Sequence, residues 1–291
     1  RRYGEALQQL QRLSVEKPDF PQAWLVLGVL QLQEGQPSAA ESALVKYLEL
    51  ANNTIDDSSE NQGIEERKRG IAQAYLSMAQ IAEDRKDLSA AQSWLDKIED
   101  PRSMITVQSR RASLMARQGK LDEARKLLQD LPQETESQAR LKLMAEVSLL
   151  RETKNTQLAY DLLAQSAVQF PNDPDLQYEQ AMLAEKLGET AEMERLLQKV
   201  IDAKPDYHHA YNALGFSMAD RNVRLPEAKR LIKKALDAAP DDPFIQDSLG
   251  WVEFRLGNKA EALKILETAY RSKPDVEIAA HLGEVLWSLG Q

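Results

Sequence analysis

Residues 249–274 read LGWVEFRLGNKAEALKILETAYRSKP, and the spacing inside this stretch decides the fold. Gly250 interrupts one apolar run and Gly257 follows its end; Ala262 and Ala269 mark a second run, which Pro274 closes. Each mark recurs along the chain. Pro171, Pro205, Pro240 and Pro274 close amphipathic runs at intervals of 34, 35 and 34, because a missing N–H and a fixed φ stop a helix. Ala181, Gly215, Gly250 and Gly283 step by 34, 35 and 33. Glycine inside a helix costs about 1 kcal/mol against alanine, so its recurrence calls for a close approach of two helices. Ala40, Ala91, Ala124, Ala159, Ala228 and Ala262 form a third ladder, with Met193 standing in once. Gly35, Gly119, Gly188, Gly257 and Gly290 sit where a left-handed helix cap is wanted. Ladders in register on one period describe an array of helix–turn–helix units, each burying a face on its neighbour.

The order of these marks, repeated at Trp24…Leu27-Gly28…Gly35…Ala40, resembles the tetratricopeptide repeat over almost the whole chain. The resemblance implies an all-α, right-handed superhelical solenoid with two antiparallel helices per unit and no sheet. Residues 1–291 then form a single solenoid, with complete repeats starting near 21, 72, 105, 140, 174, 208 and 243. Residues 1–18 are the second helix of a partial repeat, and 276–291 the first helix of another. The first two complete repeats start 51 residues apart, and the surplus at about 51–69 holds the polar cluster Asn52 to Ser59. Glu60 to Arg69 reads as helix, with Ser58 or Ser59 as N-cap. A tolerated surface insertion and a device that alters curvature both fit it. The opening Arg1-Arg2-Tyr3-Gly4-Glu5-Ala6 reads as the interior of a repeat, so a longer parent chain is expected, with any leader outside this piece.

Composition narrows the function. Apolar residues make up 43% and charged residues 29%, the balance of an ordered protein. A net charge of −9, from 46 acidic and 37 basic residues, argues against nucleic-acid binding. The most basic stretch, with Arg110, Arg111, Arg117, Lys120 and Arg125, is interrupted by Asp122 and Glu123 and reads as a solvated helix face. Cysteine is absent, so thiol chemistry and disulfides are too. The longest apolar run, Ala23 to Leu32, is too short to span a bilayer. The three histidines, His208, His209 and His281, lack metal-ligand spacing, and no phosphate-binding loop or nucleophile motif occurs. Asp241 and Asp242 read as helix-start residues. No metal, cofactor or catalytic residue is expected, and the chain is expected not to be an enzyme.

In tetratricopeptide arrays the first helix of each unit lines a concave groove, through its second, fifth, ninth and twelfth places. Early units put Gln22, Leu25, Gln73 and Gln80 there, and the third unit puts Thr106, Ser109 and Ser113. The later units are richer, and their candidates for partner binding are Tyr178, Met182, His209, Asn212, Phe216, Asp247, Trp251, Phe254, Glu284 and Trp287. Aromatics and methionine beside isolated carboxylates suit a peptide or protein partner. Packing between neighbouring first helices is the other reading for Trp251, Phe254 and Trp287. No cationic pair occupies the places that clamp acidic chaperone tails.

Asp247-Ser248-Leu249-Gly250-Trp251, Arg255-Leu256-Gly257 and residues 277–287 together resemble a branch of bacterial cell-envelope tetratricopeptide proteins. Some of that branch are outer-membrane lipoproteins facing the periplasm. It includes adaptors that bind a carboxy-terminal processing protease and deliver cell-wall hydrolases to it. The resemblance implies a periplasmic adaptor with a lipid anchor outside this piece. A generic soluble assembly scaffold, or the regulatory solenoid of an enzyme whose catalytic domain lies elsewhere, remain the alternatives.

Overall fold

The structure, a computed structural model, describes residues 2–53, 61–99 and 104–290. Among them are sixteen α-helices and no strand. They divide into two compact units, the first ending in the chain at Lys154 and the second starting at Asn155. The first unit holds α1 (Arg2–Glu16), α2 (Pro21–Gln33), α3 (Pro37–Asn53), α4 (Asn61–Asp84), α5 (Leu88–Leu95), α6 (Met104–Arg117), α7 (Leu121–Gln129) and α8 (Glu136–Glu152). The second holds α9 (Thr156–Ser166), α10 (Pro174–Lys186), α11 (Thr190–Ala203), α12 (His208–Asp220), α13 (Leu225–Ala238), α14 (Pro243–Arg255), α15 (Lys259–Ser272) and α16 (Val276–Ser288). Of the stretch at about 51–69, Asn61 to Arg69 belong to α4. Residues 54–60, including the N-cap candidates Ser58 and Ser59, lie outside the described residues.

Local chemistry sets the helix ends. Asp173 and Asp242 each accept two backbone N–H bonds at the starts of α10 and α14, with a proline in the first turn behind them. Asp242 is thus the helix-start residue that its sequence position suggests. Thr135 and Gln138 close a capping box on α8. Between paired helices the chain passes through left-handed backbone, as at Gly257 with φ 88°. Where that glycine is missing, Lys86, Lys154 and Asn222 take the same turn at φ 62°, 60° and 58°.

Packing follows the alanine ladder. Ala40, Ala91, Ala124, Ala159, Ala228 and Ala262 are all fully buried, as is Met193. The small-residue ladder shows why glycine is retained. A Cβ on Gly215 would lie 2.7 Å from Ile232 Cγ1 and 2.8 Å from the Ala228 carbonyl oxygen, and one on Gly250 would lie 2.6 Å from Leu266 Cγ. Gly283 departs from this pattern: a Cβ there meets nothing within 4 Å. Several first helices pack both on their own second helix and on the next first helix, as α12 does on α13 and α14.

The basic stretch is a solvated face only in part: Arg117 and Lys120 are exposed, while Arg110, Arg111 and Arg125 are half-buried. Arg110 Nε and Arg117 Nη1 bond Glu83 at 2.7 and 3.3 Å, tying α6 to α4. Arg111 reaches Asp96 at 2.8 Å, and Arg125 Nε donates at 2.9 Å to the buried Glu146 of α8. These guanidinium groups bridge one helix pair to the next. In the second unit Glu194 of α11 holds both Arg221 and Arg224. Arg224 itself takes left-handed backbone with φ 47°. Lys229 pairs with the buried Glu253, which also accepts from Asn258 Nδ2 at 2.8 Å.

Candidate partner-binding face

Four first helices of the second unit, α10, α12, α14 and α16, carry the candidate residues, and the structure gathers most of them into two groups. In the first group, Tyr178 of α10 meets the Tyr207 ring at 5.4 Å between centroids and His209 of α12 at 6.5 Å. The adjacent rings of His208 and His209 lie 4.1 Å apart. Burial lifts the Tyr178 hydroxyl pKa above its usual value. Burial also lowers the His209 pKa, and the neighbouring His208 lowers it further. Met182, half-buried one turn beyond Tyr178, packs on the core beneath.

The second group is tighter. Trp251 of α14 stacks on His281 of α16 at 4.4 Å and 23°, and touches Phe254 at 5.4 Å. Phe216 of α12 also meets His281, at 5.8 Å between ring centroids. Arg255 lies 4.8 Å over the Trp251 ring, and its Nη2 donates to the Asp220 carbonyl at 2.7 Å. His281 Nδ1 donates to the Asp247 carboxylate at 2.8 and 3.0 Å. Asp247 and Trp251 are 4% and 3% exposed, so they floor the face, while Phe216 and Phe254 stand half-buried above them. Asn212, one turn before Phe216, is half-buried. The other candidates stand apart, with Glu284 exposed and Trp287 at 84% exposure on α16.

His281 is the member that the sequence reading passed over. It follows Asp247 by 34 residues, whereas α14 and α16 start 33 apart behind their Asp242 and Asp275 caps, so it falls one place off the position of Asp247 and no ladder marks it. The 33-residue step is the one that the helices keep, with Ile245 and Val252 answered by the buried Ile278 and Val285, and by it Glu284 and Trp287 hold the places of Trp251 and Phe254.

The pair makes the unit sensitive to pH. Burial pulls the imidazole pKa down, but the Asp247 hydrogen bond and charge, with Glu277 and Asp220 behind, outweigh it and raise the pKa above 6.5. A group whose pKa rises on folding stabilises fully below its unfolded value of about 6.5, and that contribution is lost as pH climbs through the folded value. The thermal midpoint of wild type is therefore expected to fall above about pH 6.5 more steeply than that of His281→Gln. Melts across that range check this, and parallel profiles would count against the pair.

Comparison with known proteins agrees with the geometry. A profile described as a tetratricopeptide repeat matches residues 1–53 and 248–291. A TPR repeat-containing protein of Pseudomonas aeruginosa is 36% identical over 211 residues, covering 72% of this chain and 36% of that protein. The chain thus spans about a third of the length of the curated relative it matches. Among solved structures, yeast Tom70 superposes with a TM-score of 0.70 at 14% identity, over 99% of this chain and 59% of that one. A tetratricopeptide repeat protein from Parabacteroides merdae gives 0.53 at 17% identity, over 75% and 87%. At such identities the likeness speaks for the fold alone. That fold is the one on which protein–protein interaction scaffolds are built. The repeat ladders, the paired helices and these matches together make the chain a solenoid of tetratricopeptide repeats.

Proposed function

We propose that the chain is a non-catalytic adaptor of the bacterial cell envelope, holding partners on the first-helix face of residues 174–287. The observation that carries this reading is the joined cluster of Phe216, Phe254, Trp251 and the Asp247–His281 pair. Half-buried aromatic rings over a rigid polar floor form the kind of surface where interface energy concentrates. The envelope setting rests on the resemblance of residues 247–287 to the periplasm-facing branch, and a bacterial relative is in keeping with it. By that resemblance the partners are a carboxy-terminal processing protease and the cell-wall hydrolases it degrades, on the periplasmic side of the outer membrane.

Pull-down from envelope extract, read by mass spectrometry, tests the proposal. Wild type is expected to retain the protease or its hydrolases, and a Phe216→Gln/Phe254→Gln variant to lose them by about tenfold or more, with its helical signal intact. Retention of cytoplasmic proteins alone would favour the generic scaffold. Equal retention by the variant would remove the face from the function.

A further inference from the structure

We propose that this face takes a partner segment in which a lysine or arginine side chain stands beside an apolar one. The inference rests on the adaptor reading and adds the chemistry of what is held. Asp220 lies four residues after Phe216 on α12, and Glu277 four residues before His281 on α16, so each shares a helix face with its ring. Phe216 and His281 meet at 5.8 Å, and the two carboxylates therefore flank that contact. Glu185, in the last turn of α10 three residues after Met182, completes an acidic rim. Its pKa is raised, first by partial desolvation and then by the charges of Asp220 and Glu277, which places all three in one field.

All three side chains are exposed, and none has an ion-pair partner among the described residues. The cations nearby are Lys186 beside Glu185, Arg221, and Arg255. Arg221 is held by Glu194, and Arg255 by the Asp220 carbonyl and the Trp251 ring. His281 is matched by Asp247. Among the described residues Lys186 has no carboxylate partner and Arg255 is held by uncharged groups, so they offset part of the three carboxylates and leave the rim a reduced negative excess against half-exposed aromatic rings. A long cationic side chain complements both, because its stem covers the rings while its head lies among the carboxylates.

The test is selection of short random peptides displayed on phage against the purified chain. Selected peptides are expected to be enriched in lysine or arginine next to an aromatic or aliphatic residue. Their affinity should fall by about tenfold or more in a Glu185→Gln/Asp220→Asn/Glu277→Gln variant, and should weaken as salt rises from about 0.05 to about 0.5 M. Since these side chains are exposed, the variant should keep the wild-type fold and helical signal, with a smaller rise in the His281 pKa because Asp220 and Glu277 contribute to it. Peptides that need Phe254 but are indifferent to the three carboxylates overturn the charge reading and leave the face standing. Peptides indifferent to both, or no peptide selected at all, overturn the inference together with the adaptor reading.

Discussion

Trp251→Ala is expected to cost the unit of residues 155–291 about 3–5 kcal/mol of folding stability. The indole is 3% exposed and holds three neighbours in place: the stacked His281, Phe254, and the Arg255 guanidinium over its face. Truncation opens a cavity in a close-packed region and loosens the imidazole that pairs with the buried Asp247. Both terms have the same sign. Denaturant unfolding followed at several wavelengths measures the loss, with a partner's affinity for the folded protein measured alongside. A variant as stable as wild type but poor at binding would return Trp251 to the list of residues that touch the partner directly.

The second large effect is a contrast inside one ladder. Gly215→Leu is expected to destabilise by about 3 kcal/mol, because even its Cβ has no room against Ile232 and the Ala228 carbonyl. Part of that wall is backbone, which cannot rotate away. Gly283→Ala, at the corresponding place of α16, should instead stabilise by up to about 1 kcal/mol, since helix propensity improves and the new methyl meets nothing within 4 Å. Paired melts of the two variants check both signs. A neutral Gly215→Leu would mean that α12 and α13 are not in close approach.

These two residues show what the sequence could and could not convey. The period was legible because a helix contact that admits no side chain leaves the same mark each time it recurs, as at Gly28, Gly215 and Gly250. Gly283 carries that mark without the contact, because α16 has no second helix of its own among the described residues. Spacing reports periodicity and says nothing about whether the partner is present. Ion pairs were less legible. Arg110 and Glu83 are 27 residues apart, which is not one repeat, so no ladder reveals them. The basic stretch therefore looked solvent-facing until its partners were in view. The aromatic floor was visible as a stripe, but burial was not: Trp251 and Phe254 read alike in sequence, and only packing separates the floor residue from the half-exposed one.

The Phe216–His281 contact has a consequence in time. Most helix packing in the second unit joins neighbours or next neighbours along the chain, so it can form as the polypeptide is synthesised. The ring contact joins residues 216 and 281, and α12, α13, α14 and α15 must all precede it. A nascent chain halted anywhere before α16 would hold a packed stack of helix pairs without the Asp247–His281 bond or the roofed indole. The second unit builds from its N-terminal helices, and the face proposed to receive a partner waits for α16.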